Sequence, residues 1–137
     1  MFAVATAECF LVEWVRDAVL RDVQQTECYF QSRPRQGIRE RWKDIIKDLH
    51  KSKRIPGLPD FGSSPAWSEF VVLVETRNAL VHGNYSIPHQ AAAAPTTQAL
   101  SPDELLRRPI GWASDAVVAV IAELCSATVT QVPAWAM

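Results

Sequence analysis

Arg77, Asn78 and His82 fall within one short stretch, Glu75-Thr-Arg77-Asn78-Ala-Leu-Val-His82-Gly83. Together they offer a rigid fork of guanidinium donors, an amide that both donates and accepts, and an imidazole that titrates near neutrality. At about 100° per helical residue, setting Arg77 at 0° puts Asn78 near 100° and His82 near 140°, on one side of a helix. Glu75, near 160°, lies beside that side. The surrounding residues are Phe70, Val71, Val72, Leu73, Val74, Leu80 and Val81. Buried there without partners, each polar group would cost about a few kcal/mol. They therefore call for another helix, another subunit or a ligand. Two plainer uses stand beside these: Arg77 pairs with Glu75 or another carboxylate across the bundle, and His82 caps the helix end.

The helix that carries them reads from Pro65 to His82. Ser64-Pro65 has the form of an N-cap followed by proline at the first helical position, and Gly83 suits the residue after the end. Because this helix is apolar almost all round, it belongs at the centre of the domain or at an interface. Upstream, residues 2–30 contain no Pro or Gly and show helical periodicity through Leu11, Val15, Ala18/Val19 and Val23, with Asp17 and Arg21 spaced for an ion pair. A surface helix over 38–51 follows, with Ile38, Trp42, Ile45 and Leu49 as its narrow apolar stripe. Breakers from Pro56 to Pro65 make 52–64 a loop. The Ala-, Pro-, Thr- and Gln-rich stretch makes 84–100 a second, exposed link. Ser101-Pro-Asp-Glu104 is a capping box that starts a helical region over 102–128, interrupted or restarted at Pro109, with Ile110, Val117, Ile121 and Leu124 facing inward. No strand pattern or internal repeat is present. The expectation is an all-α, single-domain up-and-down bundle of four to five helices spanning 1–137.

The 137 residues suit one core, and 14 basic against 15 acidic residues leave a net charge of −1. That balance excludes a polybasic protein whose whole surface grips phosphate. The charge is uneven, however. Arg33–Arg54 holds nine basic and three acidic residues, net +6, and the remainder holds five basic and twelve acidic, net −7. A charged face on a surface helix is ordinarily a solvated one; its functional reading is an RNA-facing surface through Arg39, Lys43 and Lys47. Trp42 is expected in the core, and His50 and His89 at the surface. Cys9, Cys28 and Cys125 form no CxxC pair, so they read as buried thiols of a cytoplasmic protein rather than a disulfide or zinc framework. There is no Glu-x-x-His pair for a di-metal site, no phosphate-cradling glycine loop and no nucleophile elbow, so no metal or cofactor is expected. No apolar run approaches the ~20 residues of a membrane span, and the N-terminus lacks the basic region of a signal peptide.

Arg77-Asn78-Ala-Leu-Val-His82, an Arg-x4-His string with a polar residue directly after the arginine, resembles the signature of HEPN domains. The trailing Gly83 and the all-helical layout suit that family. Many of its members are small cytosolic, metal-independent endoribonucleases of toxin–antitoxin, phage-defence and RNA-processing systems. The resemblance implies that Arg77 contacts the scissile phosphate, that His82 serves as general acid or base, and that Asn78 orients one of these groups or holds substrate. It implies attack by the ribose 2′-hydroxyl, a 2′,3′-cyclic phosphate product and a homodimer that pairs two motif helices. A minimal nucleotidyltransferase antitoxin is a possible partner by the same resemblance. Some members carry a tyrosine two residues after the histidine; here Tyr85 stands three after it, and is the corresponding substrate-binding candidate. Near the helix C-terminus the dipole favours an imidazolium, which suits His82 to acid or phosphate-binding work. Inactive HEPN domains also exist, so a non-catalytic dimerisation or interaction module is the alternative.

Overall fold

The computed structural model describes residues 2–33, 36–82 and 98–137, with position 82 placed by its backbone. These residues form helices and connecting turns, with no strand among them. Helix α1, Phe2–Trp14, buries Val4, Ala7, Phe10, Leu11 and Trp14 along one face. A π-helical turn, Val15–Leu20, carries the chain on to Arg21, whose φ of 55° is left-handed. Asp22 is then extended, and its carboxylate accepts the Gln25 amide at 2.8 Å, capping helix α2, Val23–Gln31.

The uninterrupted helix expected over 2–30 is thus broken at Arg21-Asp22. Aspartate competes for backbone donors and favours an N-cap over a helix interior, which accounts for the new start. Two further expectations change with it. Val23, now in the first turn of α2, is 61% exposed. Asp17 pairs with its neighbour Arg16 at 2.7 Å, because the left-handed Arg21 ends the register that an i,i+4 pair needs.

Helix α3, Ile38–Lys51, buries Ile38, Trp42, Ile45, Ile46 and Leu49 and turns its charged side outward. Helix α4, Pro65–His82, starts where Ser64 Oγ accepts the Trp67 amide at 3.0 Å. Helix α5, Pro102–Arg107, has the full reciprocal capping box of Ser101 and Glu104. Helix α6, Trp112–Thr128, buries Val117, Ile121 and Leu124, and a final 3₁₀ turn spans Ala134–Ala136. Ile110, expected inside, is fully exposed. The α6 register begins only at Trp112, after Gly111 at φ 90°, so Ile110 sits in the turn and not on the buried stripe.

Helix α4 packs on α1, α3 and α6. A train of rings joins these layers: Phe10 to Trp42 at 5.9 Å, Trp42 to Phe70 at 5.2 Å, Phe70 to Trp67 at 5.5 Å and Trp67 to Phe61 at 4.7 Å. Trp42 is fully buried in this train. The 52–64 loop is not loose, since Ile55 and Pro59 are buried and Gly57 lies against the Ala127 carbonyl at the end of α6. Of the cysteines only Cys125 is buried; Cys9 and Cys28 are exposed, because each falls on the solvent side of its helix. Among the described residues no helix is long and apolar enough to cross a membrane.

Candidate functional site

Arg77 and Asn78 sit in the last two turns of α4, on a helix whose earlier turns are locked in the core through Phe70, Leu73 and Val74. Thr76 anchors this end. It is fully buried, its hydroxyl donating to the Val72 carbonyl at 2.7 Å and accepting the Leu100 amide at 2.9 Å. The chain entering α5 is thereby seated on α4 beside Arg77, and Leu100 is buried there. This differs from the exposed link expected as far as residue 100.

Arg77 and Asn78 are both half-buried. Arg77 Nη1 donates to Asn78 Oδ1 at 3.0 Å, so the long guanidinium arm closes the angle between adjacent helical positions. Among the described residues no further acceptor engages the Asn78 amide hydrogens or the rest of the guanidinium fork. Glu75 does not pair with Arg77. Its carboxylate accepts from Arg39 Nη1 of α3 at 3.2 Å, and Arg39 also reaches Glu40 at 3.0 Å. Among the described residues Arg77 has no carboxylate within ion-pair distance.

His82 closes α4. By register, position 82 lies about 140° from Arg77 but only about 20° from Glu75, so it follows the α3-facing stripe. Gly83, Tyr85 and His89 lie outside the described residues, as does the link over 84–97. His50 is exposed at the end of α3. In the same last two turns of α4, Leu80 is 45% and Val81 65% exposed. An apolar edge therefore runs beside Arg77 and Asn78.

The basic band divides into two parts. Arg33 is used within the fold, donating to the Tyr29 hydroxyl at 3.1 Å and to Asp48 at 3.4 Å, and Arg41 lies over the Phe30 ring at 4.9 Å. Burial and the bond to Asp48 push the Tyr29 hydroxyl well above its ordinary range. Lys43 is half-buried and lines a groove beside Arg39, whereas Lys47 is exposed one turn further on. Sequence reasoning missed the Arg39–Glu75 and Thr76–Leu100 contacts, which join residues far apart in the chain. It also missed Phe61 and Ser68 as neighbours of the basic face; an aromatic in the breaker-rich loop was the only hint. Among the described residues no group of three or more His, Cys, Asp or Glu is placed to hold a metal ion.

No family model, curated protein or solved structure matches the chain.

Proposed function

We propose that the chain is a metal-independent endoribonuclease of the HEPN type, acting as a homodimer in a toxin–antitoxin or phage-defence setting. The observation that carries this reading is the hydrogen-bonded, half-buried Arg77–Asn78 pair on a helix that closes with His82. A guanidinium with no carboxylate partner among the described residues, beside a side-chain amide, is suited to phosphate oxygens. Arg77 stabilises the charge that builds on the scissile phosphate. Asn78 holds the guanidinium or a substrate oxygen in place. The ribose 2′-oxygen forms a bond to phosphorus as the bond to the 5′-oxygen breaks. The 2′-hydroxyl proton leaves to a base, and His82 hands a proton to the departing 5′-oxygen. The products are a 2′,3′-cyclic phosphate and a 5′-hydroxyl.

The wide angle between Arg77 and position 82 on one helix favours a cleft built by two motif helices, with each protomer supplying part of it. The exposed Leu80–Val81 edge is suited to that pairing. Lys43 and Lys47 supply the attraction for RNA, Arg39 being held by Glu40 and Glu75, and the acidic remainder is suited to a basic or nucleotidyltransferase-like antitoxin. Arg77→Ala and His82→Ala are expected to abolish RNA cleavage in excess chelator while helicity and oligomeric state persist. A folded protein that cuts no RNA, or cuts it only with added metal, sinks the mechanism.

The same exposed Leu80–Val81 edge supports a second reading, a non-catalytic dimerisation module. Under it, Val81→Asp changes the sedimentation coefficient and His82→Ala leaves cell growth unchanged on overexpression. Growth arrest relieved by His82→Ala alone excludes it.

A further inference from the structure

A groove of about 440 Å³ lies between α3 and the first half of α4, walled by Arg39 and Lys43 on one side and Ser68 on the other, with Phe61 and Gln98 at its margins. Its volume is within the ~300–1,000 Å³ of small-ligand sites. The charges inside are not equivalent. Arg39 is held by Glu40 at 3.0 Å and Glu75 at 3.2 Å. Asp44, the other carboxylate of the groove, accepts the Gln36 amide at 2.7 Å. Lys43 has no carboxylate within ion-pair distance among the described residues, so it is the unpaired cation of the groove. Phe61, half-buried, meets Trp67 edge-on and contributes to the groove as well.

The groove also points at the motif. Ser68, Val71, Glu75, Asn78 and position 82 recur at alternating spacings of three and four, one stripe of α4. The Arg39–Glu75 bond shows that this stripe faces α3. From Val71 to Asn78 is about 10 Å along the helix at 1.5 Å per residue. A strand lying in the groove is therefore led along α4 toward Asn78.

We infer that this groove is a nucleotide subsite for single-stranded RNA: Lys43 takes a phosphate, the Phe61 ring stacks on a base, and Ser68 and Gln98 bond the base edge or sugar. A free cation beside an aromatic ring is the combination that holds single strands without strict sequence demand. The class of ligand rests on the ribonuclease reading; the location rests on the groove alone.

Fluorescence anisotropy of a labelled short single-stranded RNA of mixed sequence tests it, using the full chain with His82→Ala so that the probe survives. Adding Lys43→Ala is expected to weaken binding about tenfold and to lower the salt-dependence slope by about 1. Phe61→Ala is expected to weaken it roughly five- to a hundredfold. Lys51→Ala, which removes the same charge from the far end of α3, changes binding by no more than about twofold. Equal losses from Lys43→Ala and Lys51→Ala overturn the subsite, as does a folded protein that binds no RNA. Since Phe61 also packs on Trp67, Lys43→Ala decides the matter if Phe61→Ala fails to fold. Cleavage is scored separately on chains that retain His82. RNA cut with a KM indifferent to Lys43→Ala removes the subsite and spares the ribonuclease reading. RNA held through Lys43 yet never cut does the reverse.

Discussion

Arg39 of α3 and Glu75 of α4 meet with Nη1 3.2 Å from Oε1, two residues before Arg77. The pair ties the basic helix to the motif helix and commits to α3 the carboxylate nearest Arg77 in sequence. Glu75 is the less exposed partner, at 27%. A half-exposed ion pair of this kind contributes at most about 1 kcal/mol to stability. Its larger effect is to hold one of the groove's two cations neutralised.

Glu75→Gln is accordingly expected to strengthen RNA binding, by roughly two- to tenfold at low salt, because it releases the charge of Arg39 to phosphate. Thermal denaturation should show little change in the same variant. Weaker RNA binding with an unchanged melting temperature would contradict the role assigned to the pair.

Thr76→Val removes the acceptor that the Leu100 amide uses at 2.9 Å and the donor to Val72. The loss is expected to be about 1–3 kcal/mol in urea denaturation, since the site is fully buried. Thr76→Ser keeps the hydroxyl and should cost less than half as much. A larger cost for Thr76→Ser than for Thr76→Val would show that the methyl group, rather than the hydroxyl, holds the seam.

Gly57→Ala introduces a Cβ that would stand 1.9 Å from the Ala127 carbonyl oxygen, a backbone atom. Either the loop lifts or α6 shifts, and overpacking of this sort costs about 1–3 kcal/mol. The expected readout is a lower melting temperature with helicity retained at room temperature. An unchanged melting temperature would mean that the loop does not rest on α6 in solution.

Tyr29 donates to Asp48 at 2.6 Å, with Arg33 and Arg54 nearby, and burial together with that bond raises its pKa. A raised phenol contributes stability that is fully present below its unfolded value of about 10 and is lost as pH rises through the higher folded value. Thermal stability should therefore decline above about pH 10 in the parent chain, and more shallowly in Tyr29→Phe. Identical pH profiles would remove Tyr29 as the cause.

The parts of the fold legible in the sequence are those set by neighbours along the chain. Ser64-Pro65 and the Ser101–Glu104 box mark their helix starts because a cap is a contact over three residues. The closeness of Arg77 and Asn78 follows in the same way from adjacency on a helix. The break at Arg21-Asp22 is harder to read, because neither Gly nor Pro marks it and the only signal is an aspartate able to cap. Ile110, Cys9 and Cys28 show the limit of hydropathy: each is apolar or thiol-bearing, but burial depends on which side of a helix faces the core. Arg39–Glu75 and Thr76–Leu100 span 36 and 24 residues, so only packing of the helices reveals them.

The central claim, that Arg77 and His82 cut RNA through its own 2′-hydroxyl, is tested most directly by the ends of the products. Single-stranded RNA incubated with the full chain in excess chelator is read by mass spectrometry. The account predicts 2′,3′-cyclic phosphate and 5′-hydroxyl termini, absent when either Arg77→Ala or His82→Ala is used. Intact RNA, 5′-phosphate termini, or cleavage that persists in both variants would contradict it.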